Sequence, residues 1–298
     1  MLSILIPIYN YDVRAFVKEL SNQAEELEFD VEIICMDDAS SMDFRTLNAE
    51  IVNHKNVRCV QSEENLGRSA VRNALVDLSR YENLLLLDCD GKCTSEKYLK
   101  NYAAEWDKYD VIYGGRVYDE EAPDDHDLYF HWYVGTLKEA IVVPLRRQNP
   151  FKSFMTNNFL IRKAVYQQIK MDETLEGYGH EDTLFAQEIK RAGMVISHIN
   201  NPVEHAGIES KEIFLRKSAN GVKNLAQLIK AGQVDDSIRL VRYYHKMERW
   251  RLIGLIAWLV SQFDKNIQNS LEGPAPNLLW FDLWKLGVLH HNMKNLNS

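Results

Sequence analysis

Apolar runs alternate with amphipathic stretches through the first half of the chain. Residues 2–8, LSILIPI, form a strand-like apolar run, and residues 12–28 place Val13, Phe16, Val17, Leu20, Ala24 and Leu27 at helical spacing. Residues 31–36 predict a second strand that runs into Asp37 and Asp38, and residues 57–60 predict a third. Residues 66–79 read as a helix with Ala70, Val71, Ala74, Leu75 and Leu78 inward. Then comes LLLL at 84–87. An unbroken apolar run this short fits a strand buried on both faces. Strands and helices in alternation predict a parallel sheet with right-handed crossovers.

Beyond residue 100 the pattern loosens. VIYGGRVY (111–118) reads as a strand interrupted at Gly114-Gly115, a place where another group approaches the backbone closely. EEAPDDHD (120–127) is an acidic loop, NNFLIRK (157–163) a strand entering a helix, and 181–192 a helix with Gly193 as its C-cap. A strand at 195–199 precedes NPVEHAG, and from residue 211 onward the pattern is almost entirely helical. Within that tail, RLVRYYHKMERWRLIGLIAWLVSQ (239–262) sets basic residues before an apolar helix, and NLLWFDLWKLGVLHH (277–291) is rich in aromatics. Two readings stand: helices lying on a membrane surface, or helices packed on the rest of the protein or on a second copy.

Composition narrows the class. With 298 residues, 46% hydrophobic and 26% charged, the chain has room for one large or two small globular domains. A net charge of -8 argues against general nucleic-acid binding. The charge is uneven: 13 Lys+Arg against 7 Asp+Glu give +6 for residues 211–298, leaving 22 against 36, or -14, for residues 1–210. Cys35, Cys59, Cys89 and Cys93 read as free thiols, which points to a reducing compartment. The N-terminus lacks a basic start and a cleavage site and reads as a first strand. The apolar run at 252–260 is short of a membrane span.

Candidate chemistry gathers at predicted strand ends. Asp88 and Asp90 follow the leucine strand, where ligands bind in open sheets of this kind. At period-two spacing they point to one side and repel unless a cation joins them. A divalent metal held by one or two carboxylates, with water and phosphates in its other positions, satisfies them; the other reading of these two residues is a pair of solvated acids at a loop start. Asp37-Asp38 closes the second strand, Glu181-Asp182 opens a helix after GYGH, and His205 follows the last strand. Arg68 and Arg72 stand one turn apart at a helix start, where an anion can be held.

In order along the chain stand PIYN (7–10), DDAS (37–40), NLGRSAVRN (65–73), LLLLDCD (84–90), GGR (114–116), NNFLIRK (157–163) and GYGHED (177–182). Each is short, but the ordered set resembles the family 2 glycosyltransferases of the GT-A fold. NNF and GYGHED also resemble the branch with chondroitin-polymerase-type and polypeptide GalNAc-transferase domains. The resemblance covers roughly residues 1–210. It implies an α/β catalytic domain there, a Rossmann-like mixed sheet flanked by helices, with residues 211–298 as a helical C-terminal extension. It implies that Pro7, Tyr9 and Asn10 line the nucleotide pocket, with Asp38 at the base or ribose. Gly67, Arg68, Arg72 and Gly115 would lie against the donor. Asp88 and Asp90 match the Asp-x-Asp motif, Asp90 being the usual direct metal ligand, and His205 matches a third metal position. Glu181-Asp182 matches the acidic pair that supplies the catalytic base; Asp182 is favoured and Glu181 stays open. One departure is Gly91-Lys92, where many relatives carry a further acid; Lys92 either assists the phosphates or is solvated.

The activity so implied is metal-dependent, inverting transfer of a hexosyl or N-acetylhexosaminyl group from a nucleotide-diphosphate sugar, UDP-sugar favoured, with Mn2+ or Mg2+. The acceptor would be a hydroxyl of a glycan or lipid-linked molecule in surface polysaccharide or glycoconjugate synthesis. The setting would be cytoplasmic, with peripheral contact at the inner membrane face or a homo-oligomer formed through the tail. A sugar nucleotidyltransferase shares the sheet and the acids, but it needs a glycine-rich phosphate loop where PIYNYD stands. A non-catalytic glycosyltransferase-like subunit is the remaining alternative, against which the complete Asp-x-Asp, Glu-Asp and His set counts.

Overall fold

The leucine run is central, as its apolarity on both faces requires. In a computed structural model, which describes residues 1–175 and 177–296, the chain runs β1 (Leu2–Ile8), α1 (Arg14–Glu25), β2 (Val31–Asp37), α2 (Met42–Asn48), β3 (Val57–Gln61), α3 (Arg68–Leu78) and β4 (Asn83–Leu87). Then follow β5 (Gly91–Cys93), α4 (Tyr98–Ala103), β6 (Val111–Tyr113), β7 (Arg116–Val117), α5 (His126–Lys138), α6 (Val143–Gln148), β8 (Asn158–Arg162) and α7 (Lys163–Ile169). After α8 (Glu181–Arg191), β9 (Ile196–His198) and β10 (Val203–His205), the rest is helical: α9 (Lys211–Lys230), α10 (Arg239–Arg249), α11 (Ile253–Gln262), α12 (Asp264–Asn269) and α13 (Leu278–Asn295). The chain divides into two compact units: Met1–Asp119 with Glu139–Leu175 and Glu181–Gly207, and Glu120–Lys138 with Glu176–His180 and Ile208–Ser298.

The first unit is built on a seven-stranded sheet of order β3-β2-β1-β4-β8-β6-β9. β1, β2, β3 and β4 are parallel, as the strand–helix alternation predicts. β8 runs antiparallel between β4 and β6, so the sheet is mixed, as the family resemblance implies. Nothing in an apolar run such as FLI specifies ladder direction, because parallel and antiparallel strands bury the same side chains. Alternation sorts the leucines to two faces. Leu85 and Leu87 join Ile4, Ile6, Val17 and Leu20 in one core, while Leu84 and Leu86 join Leu5, Val71, Leu75 and Phe185 in the other. The carboxyl ends of β1, β2 and β4 therefore sit at one edge of the sheet. A small sheet of order β5-β10-β7 adds His205 opposite Gly91.

Asn158 ties the short strands together from a fully buried position. Its amide donates to the carbonyls of Gly115 (2.8 Å) and Asn201 (3.0 Å) and accepts from Tyr98 Oη (2.5 Å) and Tyr102 Oη (2.6 Å). All four hydrogen-bonding positions of the side chain are thus filled.

The second unit is helical. Phe130 and Val134 of α5 pack with Leu215, Phe281 and Trp284, and Val222, Tyr244, Ile253 and Leu289 form a further cluster. The grouping is not a simple cut at residue 210. Helix α5 belongs with the tail helices because its apolar residues pack there. Among the described residues no helix is long and apolar enough to cross a membrane.

Candidate active site

β4 ends at Leu87, and a turn takes over at Cys89-Asp90. Period-two geometry stops with the strand, so the two aspartates meet different partners. Asp88 faces arginines. Its Oδ1 pairs with Nη2 of Arg72, and its Oδ2 lies 3.7 Å from Arg68 and 3.8 Å from Arg116. Arg72 is buried and also donates to the Arg68 carbonyl (2.8 Å), one turn earlier on α3. Arg116, on β7, is fixed from its other side by Glu139 (2.8 Å), which also accepts from Tyr118 Oη (2.6 Å). Burial disfavours the Glu139 charge, but Arg116 and these hydrogen bonds outweigh it and lower its pKa.

Asp90 lies with His205, Oδ2 to Nδ1 at 3.3 Å. Burial opposes its charge, yet the hydrogen bond and charge of His205, with Arg116 and Arg68, hold the carboxyl well below the usual range. The ring of Tyr118 meets His205 edge-on at 5.4 Å. The chain leaving β10 closes over this pair. Ala206 donates to the Asp90 carbonyl (2.9 Å), and a Cβ on Gly207 would fall 2.4 Å from Asp90 Oδ2. Only glycine leaves the Asp90 carboxylate where it is.

At the start of α8 the acidic pair divides. Glu181 Oε1 pairs with Arg68 Nε at 2.5 Å. Burial works against its charge, but Arg68, its own backbone amide and Arg72 prevail and lower its pKa. Asp182 accepts from the Thr183 amide (2.7 Å). Burial and then the neighbouring Glu181 charge push its pKa up to about 7.

The residues expected along the nucleotide pocket follow β1 and β2. Pro7 is paired with Met36 in the sheet, Tyr9 is exposed, and Asn10 accepts from the Ser41 amide (2.8 Å) while its own amide donates to Ser40 Oγ (2.9 Å). The Asp38 carboxylate is buried and engaged internally, accepting from the amides of Leu66 (2.6 Å) and Gly67 (3.1 Å) at the entry to α3. Burial raises its pKa despite those bonds. Gly115 has φ 109°, and a Cβ there would lie 2.8 Å from the Arg146 guanidinium, so the group that approaches its backbone is Arg146. Lys92 pairs with Glu204 at 3.0 Å across the β5–β10 ladder. Cys35 and Cys93 are buried thiols, and all four cysteines are free.

The structure thus brings Asp88, Arg68, Arg72 and Glu181 together, and Asp90 with His205. Glu139, Tyr118 and Gly207 were not singled out from sequence. Glu139 and Tyr118 flank an acidic loop in no recognisable spacing, and the HAG run after β10 was the one available sign of Gly207. Among the described residues no group of three or more His, Cys, Asp and Glu side chains is arranged to hold a metal. Asp90 and His205 nevertheless fit a divalent ion in donor chemistry: the carboxylate oxygen suits Mn2+ or Mg2+, the imidazole nitrogen favours the softer Mn2+, and water and phosphate oxygens fill the other positions.

A mixed sheet of this order, with charged residues gathered at one edge, is the GT-A architecture of glycosyltransferases. The family model of glycosyl transferase family 2 matches residues 3–169, more than half of the chain, and the protein belongs to that family and is a glycosyltransferase. No curated protein matches it in sequence. Among solved structures it is similar to the mannosyltransferase PcManGT from Pyrobaculum calidifontis in complex with GDP-Man and Mn2+: TM-score 0.62 and 14% identity, covering 100% of this chain and 88% of that one. It is also similar to glucosyl-3-phosphoglycerate synthase from Mycobacterium tuberculosis with Mn2+, UDP and glucosyl-3-phosphoglycerate (0.53, 13%, 79% and 81%). A third is S. aureus TarS 1-349 with UDP-GlcNAc (0.52, 16%, 99% and 91%). The chain spans 42% of a longer TarS structure. At these identities the likeness is one of fold.

Proposed function

We propose that the protein transfers a sugar from a nucleotide-diphosphate sugar, with UDP the favoured nucleotide, to a hydroxyl of a glycan or lipid-linked acceptor, with inversion at the anomeric carbon. The observation that carries this reading is the convergence of Arg68, Arg72 and Arg116 on Asp88, beside the Asp90–His205 pair. A diphosphate leaving group gains negative charge as its bond to the sugar breaks, and preset guanidinium groups stabilise that charge at little reorganisation cost. Asp90 and His205 would hold Mn2+ or Mg2+, which when bound supplies Lewis-acid neutralisation of the diphosphate. The names of PcManGT and of the M. tuberculosis synthase, both with Mn2+ and a nucleotide or nucleotide sugar, support metal and donor class.

Asp182 is the proposed base. The acceptor oxygen bonds to the anomeric carbon, the bond from that carbon to the diphosphate oxygen breaks, and the acceptor proton passes to the Asp182 carboxylate. A carboxyl with a pKa of about 7 is matched to taking a proton near neutrality. Glu181 is held in its ion pair with Arg68, which suits it to orienting that arginine. A single displacement inverts the configuration. NMR of the product tests this: an anomeric proton coupling opposite to that of the donor is expected, and a retained configuration contradicts the proposal.

A further inference from the structure

Helix α11 turns an apolar face outward. Leu252, Leu255, Leu259 and Phe263 recur at spacings of three and four along it, with Trp258 beside them. Leu255 is 53% exposed, Trp258 56% and Phe263 49%. The neighbouring flank supplies Ile253 and Val260 to the helical core, and the stripe itself stays outside it. A contiguous apolar face of this kind marks an interaction surface.

The surrounding charge says what covers it. Arg242, Lys246 and Arg249 on α10, Arg251 at the entry to α11 and Lys265 just after it are all exposed. Glu248, Asp264 and Asp236, which pairs with His245 on α10 at 2.6 Å, are the acids among them. Lys246 lies over the ring of Trp250 (4.8 Å), which is itself 59% exposed. On α10 the basic residues face outward while Val241 and Tyr244 face in. A second copy would bring this basic surface against its like. A bilayer with anionic headgroups would instead accept apolar side chains at the acyl boundary, tryptophans at the interface and bases among the phosphates.

We propose that the α10–α11 face is a peripheral docking site for an anionic lipid surface. The proposal does not depend on the donor, the metal or the catalytic base.

Flotation of the full chain tests it, with vesicles of phosphatidylcholine alone and with about a third phosphatidylglycerol. The protein is expected to float with the anionic vesicles only and to be released by salt. Leu255→Ser with Trp258→Ser is expected to weaken binding about tenfold or more through lost apolar burial. Arg249→Glu with Arg251→Glu, which leaves the stripe intact, is expected to weaken it about thirtyfold or more. Circular dichroism confirms that each variant is folded, and the second pair decides the matter if the first is not. Absence of flotation, equal binding to neutral vesicles, or binding unchanged in both variants overturns the proposal. So does a lipid-free dimer that the same substitutions dissociate, since the face would then belong to a second copy.

Discussion

Glu181 and Asp182 are adjacent in the chain, yet the fold sets them apart electrically. Glu181 has Arg68 at 2.5 Å and stays ionised, whereas Asp182 is buried beside that negative charge and holds its proton up to about 7. If Asp182 is the base, kcat/KM falls tenfold per pH unit below about 7 and levels above it. Asp182→Asn is expected to keep donor binding and lose transfer by about 100-fold or more. Survival of transfer in Asp182→Asn, together with its loss in Glu181→Gln, assigns the base to Glu181 instead. The raised pKa also bears on stability. The folded state holds this proton more tightly than the unfolded chain, whose value is near 3.8. The contribution is therefore fully present below about pH 4 and lost as pH rises through about 7. Asp182→Asn cannot ionise, so its melting temperature relative to the parent should be higher at pH 8 than at pH 5. An equal difference at both would mean that Asp182 is not the group so shifted. Asp88 bears on stability through its partner instead. Removing it in Asp88→Ala leaves buried Arg72 without its carboxylate, which should cost about 3 kcal/mol or more in urea denaturation; a loss near zero would mean that water already screens the cluster.

Among the elements, the early strands and helices were legible because each carries a full period of its pattern. β1, β2 and β4 are strands of five to seven residues built on runs of four or more apolar ones, and α1 and α3 present one buried face each. β5, β7 and β10 have two or three residues each, too few for any periodicity to show. Their sheet nevertheless sets His205 beside Asp90, a pairing that only the family resemblance suggested and no periodicity could show. Orientation inside the site was not legible. Asp88 and Asp90 part company because a turn replaces the strand, and Glu139 reaches Arg116 from 23 positions away. Gly207 is the element-level test. In Gly207→Ala the new methyl must displace the Asp90 carboxylate. Mn2+ affinity in the presence of nucleotide should fall about 10- to 100-fold, as for groups that orient a metal ligand, with the far-ultraviolet circular dichroism unchanged. Unaltered affinity would argue that Asp90 does not hold the metal.

At the scale of the molecule, charge and fold divide the labour. The strand-rich unit carries the arginine cluster and the acids, within a first 210 residues of net charge -14. The last 88 residues carry +6, the helical core and the outward face of α11. Helix α5 and its acidic approach fall with the tail helices because Phe130 and Val134 pack there. The central claim is that Asp90 and His205 serve a nucleotide-sugar transferase through a divalent metal. The most direct measurement is nucleotide release from a panel of UDP-, GDP- and dTDP-sugars, with and without Mn2+, for the parent and Asp90→Ala, with calorimetric nucleotide binding alongside. Release from one donor that requires both the metal and Asp90, in a variant that remains folded, is the predicted result. Release that proceeds equally without metal and in Asp90→Ala, or no calorimetric binding of any of these nucleotides, would contradict it.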